Sequence, residues 1–61
     1  MDESVLKHVG QRIRLYRKSR HMSTEQLARM INKSKATVSK YESGQITVDV
    51  VTLFDIAQAL E

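Results

Sequence analysis

The sequence predicts an all-α domain, a compact bundle of four short helices. Apolar residues recur at helical spacing in four separate segments. Helix-starting residues, Ser23, Ser34 and Asp49, stand ahead of three of them. The 61 residues hold no proline and only two glycines, which argues against disorder and against an all-β fold with many tight turns. Sixty-one residues allow a single domain, 1–61, with a thin core. The absence of cysteine removes disulfides and thiolate zinc sites, so packing alone must hold it.

The first helix places Leu6, Val9, Ile13 and Tyr16 on one face, at spacings of three, four and three. Lys7, Arg12, Arg14 and Lys18 take the opposite face. The pattern decays at Ser19-Arg20-His21, where His21 is expected in or near a left-handed conformation. Ser23 caps the second helix, with Gln26 in the capping-box position three residues on. Leu27, Ala28 and Ile31 form its inner face, and Asn32 fits the left-handed stop. About eight residues cannot be stable alone, so this helix must be docked on its neighbours.

Ser34 starts a third helix that runs from Lys35 to Glu42 or Ser43, with Val38 and Tyr41 inward and Gly44 as its end. Its outer face is Lys35, Ala36, Thr37, Ser39 and Lys40: short or basic side chains, with no acid. Asp49 caps a fourth helix through Leu60, with Leu53, Ile56, Ala57 and Leu60 at helical spacing. Ile46-Thr47-Val48 is β-branched, but so short a run has no partner strand elsewhere. The three aromatics, Tyr16, Tyr41 and Phe54, are expected mostly inward.

The net charge of +3 conceals an asymmetry. All ten basic residues lie between Lys7 and Lys40, and that stretch holds one acid, Glu25, so it carries +9. The other six acids (Asp2, Glu3, Glu42, Asp49, Asp55, Glu61) lie outside it. Such a division favours polyanions. The short turn at Asn32-Lys33-Ser34 makes the helices on either side cross steeply rather than lie flat together. The second of them then projects its outer face and N-terminus, where free N–H groups and the positive dipole end favour phosphate. The major groove of DNA admits one helix with small side chains.

At these residues the sequence resembles the phage-repressor/Cro-type, or XRE-type, helix-turn-helix family. The resemblance rests on Val9-Gly10-Gln11-Arg12-Ile13-Arg14 and Tyr16-Arg17, then Ser23-Thr24-Glu25-Gln26-Leu27-Ala28. It continues through Ser34-Lys35-Ala36-Thr37-Val38-Ser39-Lys40-Tyr41-Glu42-Ser43-Gly44, and ends on Leu53 and Ile56-Ala57-Gln58-Ala59-Leu60. It implies a lambda-repressor-like fold with the helix-turn-helix motif at about 24–43. It implies a salt bridge between Arg17 and Glu42 that holds the recognition helix in register and faces the DNA backbone. Lys35, Ala36, Thr37 and Lys40 match base-reaching positions, and Ser39 matches one that reaches a base or the backbone. Thr24, Lys33, Ser34, Ser43 and Gln45 match phosphate-touching positions, and Arg17 joins them.

The sequence departs from the family's pattern at several points. Thr24 stands where glutamine is frequent, and His21 and Asn32 where glycine is common. Lys33 replaces an apolar residue, and Val48 stands where proline often precedes the fourth helix. The fifth helix usual in the family is absent or lies beyond the chain end, so the chain is either a minimal domain or the N-terminal part of a longer protein.

The resulting expectation is a sequence-specific double-stranded DNA-binding transcriptional regulator, a repressor, acting as a homodimer in the cytoplasm on the nucleoid. The alternative is a protein-interaction or antitoxin-type module in which DNA binding is secondary. Val50, Val51 and Phe54 are surplus to one core stripe and near acids, and they would form its surface or a dimer face. No apolar run approaches the length of a membrane span. With no nucleophile–base pair, glycine-rich phosphate loop or metal cluster, an enzyme is not expected, nor a cofactor. Nor is a small-molecule site, since 61 residues leave little volume for a pocket.

Overall fold

In a computed structural model that describes residues 2–61, four helices follow one another: α1 (Glu3–Ser19), α2 (Thr24–Met30), α3 (Lys35–Ser43) and α4 (Val50–Ala59). No strand occurs among the described residues. Each helix begins on an oxygen-bearing cap. Asp2, Ser23, Ser34 and Asp49 accept from the backbone N–H three residues on, at Val5, Gln26, Thr37 and Thr52. At Ser23 the box is complete, because Gln26 Oε1 accepts the Ser23 N–H at 2.8 Å. The carboxylates of Asp2 and Asp49 both titrate below their ordinary value of 3.8. For Asp2 the leading cause is the Val5 N–H, then the Ser4 hydroxyl. For Asp49 it is the Thr52 hydroxyl, then the Thr52 N–H.

The first three helices share one exit. His21, Asn32 and Gly44 have φ of 55°, 58° and 76°. The next N–H in each case reaches back five residues: Met22 to the Arg17 carbonyl, Lys33 to Ala28, Gln45 to Lys40. These are Schellman closures, which satisfy carbonyls the helix itself leaves open. Only Gly44 adopts the left-handed conformation without steric cost from a Cβ.

The core is Ile13 of α1, Leu27, Ala28 and Ile31 of α2 and its exit, Val38 and Tyr41 of α3, and Val48, Ile56 and Leu60. Leu27 and Val38 are the largest fully buried side chains. Ile46 and Val48 of the α3–α4 connection also turn inward, so their β-branched run fills the core rather than building a strand.

Two inward assignments from hydropathy are corrected. In α1 the buried positions are Gly10, Ile13 and Arg17, whereas Tyr16 is 45% exposed. The true inner stripe includes a glycine and an arginine, neither of which registers as apolar, so the apparent face was rotated. Gly10 is there because α3 ends against it: a Cβ would stand 2.4 Å from the Tyr41 carbonyl oxygen and 2.5 Å from that of Glu42. In α4 the buried residues are Thr52 and Ile56, followed by Leu60, while Leu53, Phe54 and Ala57 are exposed. The Thr52 hydroxyl tolerates burial by donating to Asp49 Oδ1 at 2.7 Å.

Candidate nucleic-acid interface

The geometry of α3 follows from its residues. At 3.6 residues per turn, Lys35, Ala36, Ser39, Lys40 and Ser43 fall within an arc of about 140°. All five are exposed, while Val38 and Tyr41 on the far side are buried. Thr37, half-buried, and Glu42, whose side chain is nearly buried, flank the arc. The outward arc therefore carries two ammonium groups, a methyl, two hydroxyls and no acid. Lys33 and Ser34 are exposed at the entry and Gln45 at the exit. Thr24, half-buried, opens α2.

Some hydroxyls in this set are already engaged. Ser34 Oγ caps the Thr37 N–H at 3.1 Å and shares a proton with Thr37 Oγ1 at 2.9 Å. Ser43 Oγ donates to the Lys40 carbonyl at 3.2 Å. The ammonium groups of Lys33, Lys35 and Lys40 have no carboxylate within salt-bridge distance among the described residues. Lys33 does lie close enough to Asp49 to help lower that carboxyl's pKa. Elsewhere Lys7 pairs with Glu3 and Arg29 with Glu25, each one helical turn apart and exposed.

Arg17 and Glu42 form a fork between α1 and α3. Arg17 Nε donates to Glu42 Oε2 at 2.7 Å and Nη2 donates to Oε1 at 3.1 Å. Nη1 donates to the Met22 carbonyl at 2.7 Å. Both side chains are nearly buried, 9% and 7% exposed. One guanidinium thus ties three places together: α1, the turn into α2, and the last turn of α3. Planar, two-point pairing of this kind suits arginine and not lysine. A polar notch of about 280 Å³ opens over the pair, lined by Arg14, Arg17, Thr24, Ser39, Glu42 and Ser43.

A second surface lies on another side of the molecule. An open, mostly apolar groove of about 460 Å³ runs between α1 and α4, with Val9, Ile13, Leu53, Ile56 and Leu60 among its lining residues. The expectation that so small a chain has no room for a pocket is thereby revised. On its α1 side Tyr16 stands between two guanidinium groups, Arg12 at 6.0 Å and Arg20 at 5.6 Å from the ring centre.

Two short helices joined by a four-residue turn, buried against a supporting α1 and presenting one polar arc, define a helix-turn-helix domain. The chain belongs to the XRE-type helix-turn-helix family: a family model described as helix-turn-helix matches residues 13–61. A relative from Rhodospirillum rubrum, described as an uncharacterized transcriptional regulator in the ATPase CF(0) region, is 43% identical over 53 residues. The match covers 87% of this chain and 49% of that protein, so the chain spans about half the length of this relative. Among solved structures, the restriction-modification controller protein C.AhdI from Aeromonas hydrophila superposes with a TM-score of 0.90 at 33% identity. That superposition covers 93% of this chain and 86% of that one.

Proposed function

We propose that this chain is a sequence-specific double-stranded DNA-binding transcriptional regulator, a repressor, that presents α3 to the major groove. The observation that carries this reading is the acid-free outer arc of α3, small and basic, bounded by unpaired lysines at 33, 35 and 40. A groove about 12 Å wide accepts a helix with short outward side chains. Lys40 would donate to guanine O6/N7, and the methyl groups of Ala36 and Thr37 would meet thymine methyls. Lys35 and Ser39 complete the base-reaching set. Thr24, Lys33, Ser34, Ser43 and Gln45 would touch phosphates. Arg17 has three donors spent internally and contributes chiefly by holding α3 in place. The family membership and the names of the relatives support regulation rather than catalysis, and the chain would work on the nucleoid.

Residues 1–61 serve in this reading as the DNA-reading domain, with the motif at 24–43. One α3 reads few base pairs, so two copies would read half-sites about 34 Å apart. The second copy would pack on the outer face of α4. There Val50, Leu53, Phe54 and Ala57 recur at helical spacing and are exposed, Val50 to 83% and Phe54 to 62%. Pairing through this face uses none of the residues of the outer arc of α3.

Fluorescence anisotropy with duplex DNA across a salt series tests the reading. Contact with about four to six phosphates gives a log–log slope near −4 to −5. Lys40→Ala should relax base preference, whereas Thr24→Ala should weaken all sequences alike. A salt-independent affinity, or no affinity at low salt, would overturn it.

A further inference from the structure

The polar notch above the Arg17–Glu42 pair contains a residue that neither the arc of α3 nor the fork uses. Arg14 lines the notch from α1 together with the hydroxyl-bearing residues Thr24 of α2 and Ser39 and Ser43 of α3. Three helices thus converge on one concave polar surface. Its floor is electrically closed, because each Glu42 oxygen receives an N–H from Arg17. Arg14 is exposed and has no carboxylate partner among the described residues, so its charge is the uncompensated one. A notch with neutral polar walls, hydroxyls on two sides and one free guanidinium is complementary to a single singly charged tetrahedral oxyanion.

We infer that Arg14 anchors one backbone phosphate of the DNA in this notch, while Arg17 beneath it acts as a positioning residue. The inference rests on the DNA-binding reading and adds to it a residue and a place. The division of labour is physical. A guanidinium whose donors are committed to a carboxylate and a carbonyl has little attraction left for a phosphate. Its neighbour one helical turn earlier keeps all five N–H groups for one. The hydroxyls of Thr24 and Ser39, whose protons are not engaged elsewhere among the described residues, flank that site and orient the phosphodiester.

The experiment compares wild type, Arg14→Gln, Arg14→Lys and Arg12→Gln in salt titrations against a selected site and a random duplex. Thermal melts serve as the control for folding. Loss of one phosphate contact flattens the log–log slope by about 0.9, which at 0.15 M salt corresponds to about fivefold weaker binding. Arg14→Gln should show both changes, by the same factor on the two duplexes, and Arg14→Lys should keep the slope. Arg12→Gln removes the same charge on the α4 side of α1 and should leave the slope as it was. An unchanged slope for Arg14→Gln overturns the inference. So does an equal change for Arg12→Gln, which would mean that net charge alone matters. A wild type that binds no duplex overturns the DNA reading instead.

Discussion

Removing Glu42 should come close to unfolding this domain. Glu42→Ala strips both carboxylate oxygens from Arg17 and leaves the guanidinium, 9% exposed, with the Met22 carbonyl as its remaining partner. Breaking a buried ion pair from one side costs about 3–5 kcal/mol, because a charge is left without compensation. A chain of 61 residues has a total stability of about 3–9 kcal/mol at 0.05–0.15 kcal/mol per residue. The loss is therefore comparable to the whole. In a domain of this size each kcal/mol moves the midpoint by about 4–8 °C, so a fall of more than about 12 °C is expected. Urea and thermal melts followed by far-UV circular dichroism measure it. The double variant Arg17→Met with Glu42→Met removes the uncompensated charge as well as the pair, and it should recover most of the loss. A Glu42→Ala loss below about 1 kcal/mol is what an exposed pair gives. That result would refute the view that burial makes this contact structural.

Other consequences can be measured in the same way. Gly10→Ala should destabilise by about 1–3 kcal/mol in a urea melt despite alanine's better helix propensity, because its Cβ would meet backbone oxygens of α3 that cannot step aside. Acid titration should expose the two carboxylate caps. Asp2 and Asp49 titrate lower in the folded chain than their ordinary 3.8. Their contribution is therefore complete above that value and is lost as the pH falls through the folded pKa. Asp49→Asn keeps a capping oxygen and should flatten that limb of stability against pH. Phe54→Glu, at an exposed position, should leave the melt within about 0.5 kcal/mol. It should shift sedimentation to the monomer and weaken binding to a palindromic site about tenfold for each 1.4 kcal/mol of pairing energy removed.

Much of the fold was legible because local chemistry announced it. Ser23, Ser34 and Asp49 each cap a helix, and His21, Asn32 and Gly44 each turn left-handed where the pattern breaks. What hydropathy misread lies where burial has a reason other than apolarity. Gly10 is inside for lack of a side chain, Arg17 because Glu42 and Met22 meet its donors, and Thr52 because Asp49 accepts its proton. Conversely Tyr16, Leu53 and Phe54 are apolar yet outside: Tyr16 and Leu53 line the open groove between α1 and α4, and Phe54 is 62% exposed. The candidate interface was legible as a set of side chains. The notch was not, since Arg14 joins it only where three successive helices converge in space. Its position one turn before Arg17 was the available signal.

The smallest helix also determines how the molecule can come apart. With seven residues α2 has too few internal hydrogen bonds to persist undocked. Its Leu27 and the Val38 of α3 are the two largest side chains fully shielded from water. Releasing either helix therefore exposes the centre of the core, so opening α2 or α3 costs about as much as complete unfolding. Slow hydrogen exchange in α2 and α3 would then report the global stability, with local fraying confined to the ends of α1 and α4. The helix-turn-helix unit is held intact or lost together, so its geometry is all-or-none despite the brevity of its parts.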